Sequence, residues 1–377
     1  MTGPLPKVYY ARARVTKWNH ESSLPGKLES LLTHADLKSR YEKDEWVAVK
    51  THFGSFGAHR IVRPVFIRKV NDAIRAAGGN PFVTDTVRIK GLDYLEVANA
   101  NGLNHLSVGA PVVLADGLFG NDSILVDAAG LGQVAVASAI HNASAMVVVS
   151  HVKGHINAGY AGAIKNMAMG GISGSHRKCG WKCGRGSMHA IGQGAVEWNA
   201  DKCELCYQCQ EVCPLECISF KGGKDFVFDS DKCWRCGRCV RVCPADAIEF
   251  EGADENEFMR SLPRAASAVM GTFPEGKLLY VNFLLEVQPE CDCMPGADVP
   301  VLQDQGIVLS DDIVAVEQAS ADILKAASPL PDSAASDRGI RDGQDVLLEL
   351  NHRAYEIQME EAEALGLGSR RFELIEI

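Results

Sequence analysis

The sequence contains no apolar run long enough to cross a bilayer, and residues 1–7 lack the apolar core of a signal peptide. Its 38 Lys and Arg residues are outnumbered by 48 Asp and Glu residues, so the formal net charge is −10. An acidic chain is poorly suited to general nucleic-acid binding, because phosphate backbones attract basic surfaces. We therefore expect a soluble cytoplasmic protein that binds neither membranes nor nucleic acids.

Acidic residues are missing from one long window, between Asp127 and Glu197. Because dinucleotide-binding motifs need an acidic residue about 20 positions further on, the G-x-G-x-x-A match at 130–135 is better explained as a plain glycine turn. The window instead collects basic and imidazole side chains among many glycines: His151, Lys153, His155, Lys165, His176, Arg177, Lys178, Lys182, Arg185 and His189. Unopposed cations and close backbone N–H groups suit an anion. We predict a small-anion site here, the alternative being a basic loop with only a shielding role.

Cysteine is plentiful: the chain has 13, and two copies of the pattern C-x2-C-x2-C-x3-C-P account for most of them. The copies are Cys203, Cys206, Cys209, Cys213 and Pro214, then Cys233, Cys236, Cys239, Cys243 and Pro244. This is the ligand pattern of bacterial ferredoxins, in which the fourth Cys binds the other cluster. It predicts one 4Fe–4S cluster on Cys203, Cys206, Cys209 and Cys243, and a second on Cys233, Cys236, Cys239 and Cys213. Zinc and disulfides are the alternatives, but zinc usually takes two C-x2-C pairs separated by a longer loop.

The remaining cysteines lie outside this pattern. Cys217 aligns with Ala247 of the second copy, so we expect a small buried residue and not a ligand. If the chain folds back into one sheet, Cys179, Cys183, Cys291 and Cys293 could meet, and we predict a third site there that holds zinc or another iron–sulfur cluster. The alternative is that the two pairs have separate, local roles. Cysteines committed to metal also suit a reducing cytoplasm better than a disulfide scaffold.

Apolar strands alternate with helical patterns along the chain, which predicts an α/β fold. We expect a mostly parallel sheet covered by helices on both faces, with an inserted dicluster ferredoxin-like α+β module. The predicted boundaries are 1–198 and 252–377 for the two parts of the α/β domain, and 199–251 for the insert. Predicted helices include Gln133–His141 and Val346–Ala364, and Ser328–Arg341 is predicted to be a surface linker.

Parallel sheets bind ligands beyond the carboxyl ends of their strands, and several reactive side chains fall at such positions. They are Lys50, His52, Asp85, His151 and Lys153. Because His151, Lys153 and His155 alternate along an extended segment, we expect all three to face one pocket. Lys and His side chains there would hold an anionic group or exchange protons near neutral pH.

Residues 199–251 closely resemble the dicluster bacterial-type ferredoxins. Outside that stretch, the segments VAVKTHFG, GGNPFVTDT, SHVKGH, GAIKNMAMG, VNFLLEV with the following CDC, and GIVLS resemble the ferredoxin-fused branch of the domain-of-unknown-function-362 family. The resemblance implies an α/β domain interrupted by a dicluster insert, in an iron–sulfur protein that is an oxidoreductase or an electron carrier. The chain departs from the family pattern at Gly171, where the family has Cys, and at Glu317, where it has Asp.

We therefore predict an iron–sulfur oxidoreductase whose two 4Fe–4S clusters relay electrons between a soluble donor or acceptor and a small anionic substrate. The residues predicted to act on the substrate are Lys50, His52, Asp85, His151, Lys153, His155, Lys165 and Asn166. The alternative is a non-catalytic electron-transfer or metallocentre-assembly protein that recognises a protein partner. A carrier alone would not need the large α/β domain, which favours the enzyme.

Overall fold

The computed structural model describes residues 3–88, 91–190, 194–213, 215–252, 254–294, 296 and 298–377. Pro214 of the first cysteine repeat lies outside them. The strands of this part of the chain are β1 (Lys7–Arg12), β2 (Trp46–Lys50), β3 (Asn80–Asp85), β4 (Val112–Leu114), β5 (Ser123–Ala128), β6 (Gly132–Ala137), β7 (Ala145–His151), β8 (Lys153–His155), β9 (Gly159–Ala161), β10 (Val196–Trp198), β11 (Ile218–Lys221), β12 (Asp225–Phe228), β13 (Ile248–Phe250), β14 (Leu278–Leu284), β15 (Gly306–Ser310) and β16 (Glu373–Glu376). The helices are α1 (Leu24–His34), α2 (Leu37–Arg40), α3 (Pro64–Ala76), α4 (Gly91–Ala100), α5 (His105–Val108), α6 (Ser138–His141), α7 (Ala163–Gly171), α8 (Gly186–Ala190), α9 (Gln208–Glu211), α10 (Arg238–Arg241), α11 (Glu255–Met270), α12 (Ile313–Lys325), α13 (Ala334–Asp337), α14 (Val346–Asn351) and α15 (Ile357–Ala364).

An eight-stranded sheet forms the centre of the α/β part, with the strand order β16-β1-β15-β14-β7-β2-β3-β4. Strands β14, β7, β2, β3 and β4 are parallel to one another, whereas β15 is antiparallel to both of its neighbours. The predicted α/β fold with a mostly parallel sheet is confirmed. Because neighbouring parallel strands end on the same side, the carboxyl ends of β2, β3 and β7 lie next to one another.

Helices cover both faces of the sheet, because successive residues of a strand point to opposite faces. In β2, Val47 and Val49 join a buried core with α1, α3 and α4, whereas Ala48 joins a second core with α7, α11 and α12. Lys50, two residues after Ala48, therefore points towards α7. Gly170 of α7 leaves room for it, since a Cβ at that position would overlap Lys50 Nζ. This alternation brings a charged side chain to the end of an apolar strand.

The two cysteine repeats fold into matching halves. Helix α9 and strand β11 of the first half are repeated 30 residues later as α10 and β13. The same three left-handed backbone positions occur in each half: Leu205, Tyr207 and Glu216, then Arg235, Gly237 and Asp246. Strand β10 pairs with β13, so the chain enters and leaves the repeats at neighbouring positions. An insertion into a larger domain needs this geometry.

The predicted helix Gln133–His141 is mostly strand in the structure. Strand β6 pairs with β5 as a hairpin, and only α6 of the predicted segment is helical. The connecting turn uses positive φ values of 70° at Gly130 and 71° at Gly132. Both glycines of the G-x-G-x-x-A match therefore serve the turn, as predicted. The error arose because Val134 and Val136 pair across the hairpin, and such pairing is not visible in a helical apolar pattern.

Two further predicted elements near the carboxyl end of the chain differ from the structure. The predicted helix Val346–Ala364 is divided into α14 and α15, because His352 adopts a left-handed conformation with φ of 52°. The predicted linker Ser328–Arg341 contains α13, which begins after the buried Ser333. Among the described residues, no helix combines the length and the apolar character needed to cross a membrane.

A buried carboxyl group, Glu317 of α12, lies against the first turn of α7. Its Oε1 accepts a hydrogen bond from the Ile164 backbone N–H at 3.1 Å, and the side chain is almost fully buried. A Cβ at Gly162 would lie 2.6 Å from the same carboxylate oxygen, so glycine is needed for this close packing. Burial raises the pKa of Glu317 to about 7, against the opposing effect of its hydrogen bonds.

We predict that Glu317→Gln makes the stability less dependent on pH. Because the folded-state pKa of about 7 exceeds the unfolded value of 4.5, the wild-type protein loses stability as the pH rises between these values. Glutamine does not ionise. Between pH 4.5 and pH 8, the free energy of unfolding of the variant should therefore rise by up to about 3 kcal/mol relative to that of the wild-type protein. Anaerobic denaturant unfolding at both pH values measures this. Glu96→Gln, at an exposed position, is the control, and parallel curves for Glu317→Gln and wild type would contradict the prediction.

Candidate functional site

A cavity of about 220 Å³ lies at the carboxyl ends of β2, β3 and β7. All but one of the side chains predicted to act on a substrate line it: Lys50, His52, Asp85, Lys153, His155, Lys165 and Asn166. Helix α7 supplies Lys165 and Asn166, and strand β8 supplies Lys153 and His155. The cavity thus occupies the position at which parallel sheets usually bind ligands.

The wall of this cavity is strongly basic, although the chain as a whole is acidic. Among the described residues, its charged side chains are one carboxylate, Asp85, and seven cations: Lys50, Arg88, Lys153, Lys165, Arg185, Arg238 and Arg241. Charges attract more strongly where water is excluded, so the wall favours an anion. The acid-free window supplies Lys153, Lys165 and Arg185 to it. The other basic residues predicted from that window, His176, Arg177, Lys178 and Lys182, do not line the cavity.

Lys50 and Asp85 form a buried ion pair, with Lys50 Nζ 2.9 Å from Asp85 Oδ1. Lys50 Nζ also donates to Asn166 Oδ1 at 2.6 Å. The carboxylate accepts backbone N–H groups from Thr86 at 2.9 Å and from Phe53 at 3.2 Å. Burial opposes ionisation of Asp85, but the Lys50 charge and the hydrogen bonds outweigh it and hold the pKa of the carboxyl well below its usual range. The pair is therefore ionised at the end of two apolar strands.

His52 is oriented by the same carboxylate. Its Nδ1 lies 2.9 Å from Asp85 Oδ2, which also accepts the Tyr94 hydroxyl at 2.5 Å. An acceptor at Nδ1 places the ring proton there and leaves the lone pair on Nε2. This Nε2 is buried and has no hydrogen-bond partner among the described residues. Because burial lowers the pKa of His52, the ring is neutral at neutral pH and Nε2 can accept a proton from a molecule in the cavity.

Asp292, within the CDC motif, is an acidic residue that the sequence analysis missed. Its Oδ1 lies 2.9 Å from His151 Nδ1, and its Oδ2 lies 2.9 Å from Lys153 Nζ. His151 Nε2 faces the Leu285 carbonyl oxygen at 2.8 Å, so both ring nitrogens have acceptors. The expectation that His151, Lys153 and His155 face one pocket is wrong for His151, because Asp292 holds its ring outside the cavity lining. Burial raises the pKa of Asp292, but the charges of His151 and Lys153 outweigh this and lower it to about 2.

The four cysteines of the predicted third site fall into two groups within the described residues. His155, Cys291 and Cys293 place one donor atom each within 4.8 Å of one another, and His176, Cys179 and Cys183 form the other such group. Cys179 and Cys183 are joined by a disulfide, which the sequence analysis did not predict. The prediction of one four-thiolate site is therefore corrected. The loop folds back on itself, with His176 and Gly180 paired through their backbones, so its sulfur atoms bond to each other and not to the CDC motif.

Each predicted set of cluster ligands lines a small cavity of its own. One is lined by Cys203, Cys206, Cys209 and Cys243, and the other by Cys213, Cys233, Cys236 and Cys239 together with Cys217. A backbone N–H donates to the fourth sulfur of each repeat, at 3.3 Å to Cys213 and at 3.2 Å to Cys243. Cys236 and Trp234 also line the large basic cavity. The second repeat and the basic cavity therefore share a wall.

Several residues of the large cavity were not predicted from the sequence. They are Arg88, Tyr94, Trp234, Arg238, Arg241, Phe258 and Met294. Arg238 and Arg241 could have been found from the repeat itself, because the equivalent residues 30 positions earlier are Gln208 and Glu211. Helix α10 of the second repeat is basic, whereas α9 of the first is not. Among the described residues, the second repeat lines the cavity and the first does not. No comparable sequence signal marks Arg88, and only the folded structure shows that it lines the cavity.

Comparison with known proteins places the chain in a family. The family model described as Domain of unknown function (DUF362) matches residues 47–322. The chain belongs to the DUF362 family. The matched region of this DUF362 chain includes the whole lining of the basic cavity and both cysteine repeats. The DUF362 resemblance is thereby confirmed at the level of the family.

No curated protein matches this DUF362 chain. A solved structure, the lactate racemase apoprotein from Thermoanaerobacterium thermosaccharolyticum, is similar at 12% sequence identity with a TM-score of 0.35. The similarity covers 74% of this chain and 50% of that chain. The DUF362 chain thus spans about half the length of that protein.

We predict that Asp85→Asn destabilises the protein by about 3–5 kcal/mol, because it leaves the Lys50 ammonium buried without a counter-charge. The double variant Lys50→Met/Asp85→Asn should recover part of that loss, since it removes both charges. Denaturant unfolding under anaerobic conditions compares the double variant with the two single variants, Asp85→Asn and Lys50→Met. Asp72→Asn, which breaks exposed ion pairs to Arg68 and Arg75, should cost less than about 1 kcal/mol. Strictly additive losses in the double variant would show that the buried pair is not coupled.

Proposed function

We propose that this protein belongs to the ferredoxin-fused branch of the family and is an iron–sulfur oxidoreductase. Two 4Fe–4S clusters would bind in the 199–251 insert, one on Cys203, Cys206, Cys209 and Cys243, the other on Cys213, Cys233, Cys236 and Cys239. When bound, the clusters supply one-electron transfer. The α/β domain would hold a small anionic substrate in the basic cavity, and a soluble donor or acceptor would exchange electrons with the insert.

The spacing of the cysteines supports clusters over zinc. A single zinc ion holds sulfur atoms about 4 Å apart, because each Zn–S bond is about 2.3 Å long. Among the described residues, two groups of three donor atoms lie within 4.8 Å of one another. Neither group contains any of the eight cysteines of the repeats. A cluster distributes its four thiolates over four iron atoms and so accepts a wider spacing. The apolar core of the insert is also small, because its cluster of buried side chains has three members among the described residues: Cys209, Ile218 and Ile248. Bound metal would therefore supply much of its stability.

The observation that carries the proposal is the shared wall between the basic cavity and the second repeat. Cys236, one of the proposed cluster ligands, lines the same cavity as Lys50, Lys153 and Lys165. An anion held by these cations would lie directly beside the cluster bound by Cys236. Electron transfer between the two would then need no movement of the domains.

The side chains of the cavity divide into three roles under this proposal. Lys153 and Lys165 bind the anionic group of the substrate. His52 exchanges a proton with it through Nε2, and Asp85 holds the His52 ring in the required orientation. Lys50 is a positioning residue, because it keeps Asp85 ionised.

The first repeat is the natural entry point for a soluble redox partner. Cys206 is exposed, whereas the ligands of the second repeat are at least half-buried. Electrons would then enter at the first cluster and reach the cavity through the second. This order matches the contacts of the two repeats, since within the described part of the chain the second repeat lines the basic cavity and the first does not.

Metal analysis tests the cluster assignment. Anaerobically prepared protein should contain about eight iron and about eight sulfide per chain. Cys213→Ser should lose the signal of the cluster on Cys233, Cys236 and Cys239 in electron paramagnetic resonance spectra and keep the other. Cys217→Ala is the matched control. Cys217 lines the same cavity but aligns with Ala247 of the second repeat, so this variant should retain both clusters. Loss of the cluster on Cys203, Cys206 and Cys209 in Cys213→Ser would refute the pairing.

Calorimetry against small carboxylates and phosphates tests the anion site. We expect Lys153→Ala and Lys165→Ala each to weaken binding by about 10-fold or more, since each removes a charged donor. Lys43→Ala, at an exposed position of the same domain, should have no effect. Unchanged affinity for every tested anion in both cavity variants would favour the alternative of a non-catalytic electron-transfer or metallocentre-assembly protein.

The pH dependence of anion binding follows from the buried histidines. Burial lowers the pKa of His52 and of His155 below 6.5, and that of His189 to about 3. These rings are therefore neutral at pH 7, and raising the pH further removes no charge from them. Affinity measured by calorimetry should strengthen only as the pH falls below about 6.5, where His52 and His155 begin to gain protons. A loss of affinity centred between pH 7 and 8 would contradict this assignment.

A further inference from the structure

The CDC motif places two sulfur atoms close together beside the basic cavity. Cys291 is buried, whereas Cys293 is half-buried and lines the cavity. Their sulfur atoms lie within 4.8 Å of each other and of a ring nitrogen of His155. The Cys293 backbone N–H also donates to Cys291 Sγ at 3.4 Å. A small rotation of the side chains would bring the two sulfur atoms into bonding distance.

Positive and N–H donors surround Cys291 Sγ. Lys165 Nζ donates to it at 3.2 Å, in addition to the Cys293 backbone N–H. A ring nitrogen of His155 is a further neighbour and lies within 4.8 Å of the same sulfur. Such surroundings stabilise a thiolate, the form of cysteine that reacts in thiol chemistry.

The hydrogen bonds of His155 distinguish a thiolate pair from a metal site. Its Nδ1 accepts backbone N–H groups from Asn157 and Ala158, each at 3.1 Å. Because Nδ1 is an acceptor, the ring proton lies on Nε2, which leaves an N–H to donate to sulfur. A histidine that binds a metal normally donates its second N–H to a carboxylate or carbonyl. In His155, Nδ1 instead accepts from two backbone N–H groups, so the ring is oriented to donate its Nε2 proton to a thiolate.

The two cysteines also differ in their protonation. The hydrogen bond from Cys293 and the charge of Lys165 lower the pKa of Cys291, despite its burial. The same hydrogen bond and burial raise the pKa of Cys293. A thiolate next to a thiol is the combination that forms and breaks disulfides.

We propose that Cys291 and Cys293 are a redox-active pair that cycles between a dithiol and a disulfide. In the oxidising direction, the Cys291 thiolate and the Cys293 thiol form one S–S bond, release the Cys293 proton to solvent and give up two electrons. The electrons pass one at a time to the two 4Fe–4S clusters, so this part of the proposal rests on the proposed function. The pair would convert two single electrons into the two-electron chemistry of a substrate in the cavity.

Thiol trapping on the complete, cluster-containing protein tests the pair. The protein is equilibrated anaerobically in glutathione buffers of graded potential, then alkylated, digested and analysed by mass spectrometry. We expect Cys291 and Cys293 to change together from alkylated to disulfide-linked, with the slope of a two-electron couple. Cys217, a buried cysteine without a nearby cation, should remain a thiol throughout, and Cys291→Ser should leave Cys293 alkylated at every potential.

Two results would contradict the proposal that Cys291 and Cys293 are a redox-active pair. One is that both cysteines of the wild-type chain stay alkylated at all potentials. The other is that one equivalent of zinc or another metal beyond the cluster iron is bound and is lost in Cys291→Ser, which would identify a His155–Cys291–Cys293 metal site.

Repeating the titration on Cys213→Ser separates the pair from the clusters. The glutathione transition should persist in this variant, because it needs only the two sulfur atoms. The rate at which dithionite reduces the disulfide is then followed by the same trapping. If the clusters deliver the electrons, this rate should be at least about 10-fold lower in Cys213→Ser than in the wild-type protein. An unchanged dithionite rate in Cys213→Ser would refute the electron path while leaving the dithiol couple in place.

Discussion

Buried positive charge at the ends of apolar strands is the constraint on which the cavity depends. An ammonium group that leaves water costs several kcal/mol unless a counter-charge accompanies it. Lys50 is paired with Asp85, Lys153 with Asp292, and Lys165 lies 3.2 Å from Cys291 Sγ. Each pair also fixes the direction of its lysine, so the cations are already in place before any ligand arrives. Removing one anionic partner would therefore disturb both the stability of the sheet edge and the electrostatics of the cavity.

The two cysteine repeats are alike in backbone but different in their surroundings. Their left-handed positions and short helices match at a spacing of 30 residues, which is expected of a duplicated unit. The second repeat has Arg238 and Arg241 where the first has Gln208 and Glu211. Among the described residues of the two repeats, those that line the basic cavity belong to the second. The first repeat instead presents Cys206 to solvent. The two halves thus share a backbone, and the side chains of α10 distinguish the half that faces the cavity.

Much of the fold could be predicted because its central strands are apolar throughout. β7 is buried along its whole length, and its run AMVVVS identifies it without any knowledge of its neighbours. Strand β6 falls in a predicted helix because its small and β-branched residues fit either period, and only pairing with Ser123–Ala128 decides between them. The break at His352 has a similar cause, since a left-handed residue other than glycine leaves no mark in an apolar pattern.

Site residues could be predicted where they lie at the ends of strands. The prediction failed where their position depends on how loops fold. Lys50, Asp85 and Lys153 lie in the cavity because a strand end places them there. His151 occupies an equivalent position, yet Asp292, more than 100 residues later, turns its ring away. The separation of Cys179 and Cys183 from the CDC motif likewise depends on a loop that closes on itself. The contact between His151 and Asp292 joins distant parts of the chain, and no local spacing reports it.

The central claim is that the basic cavity and the second repeat form a single redox site. Electron paramagnetic resonance of the dithionite-reduced protein, recorded with and without a saturating carboxylate or phosphate, tests it directly. The account predicts that the anion alters the signal of the cluster on Cys213, Cys233, Cys236 and Cys239 and leaves the other cluster unchanged. In Lys153→Ala the same change should need about 10-fold or more anion. An anion that binds by calorimetry but changes neither cluster signal would contradict the account.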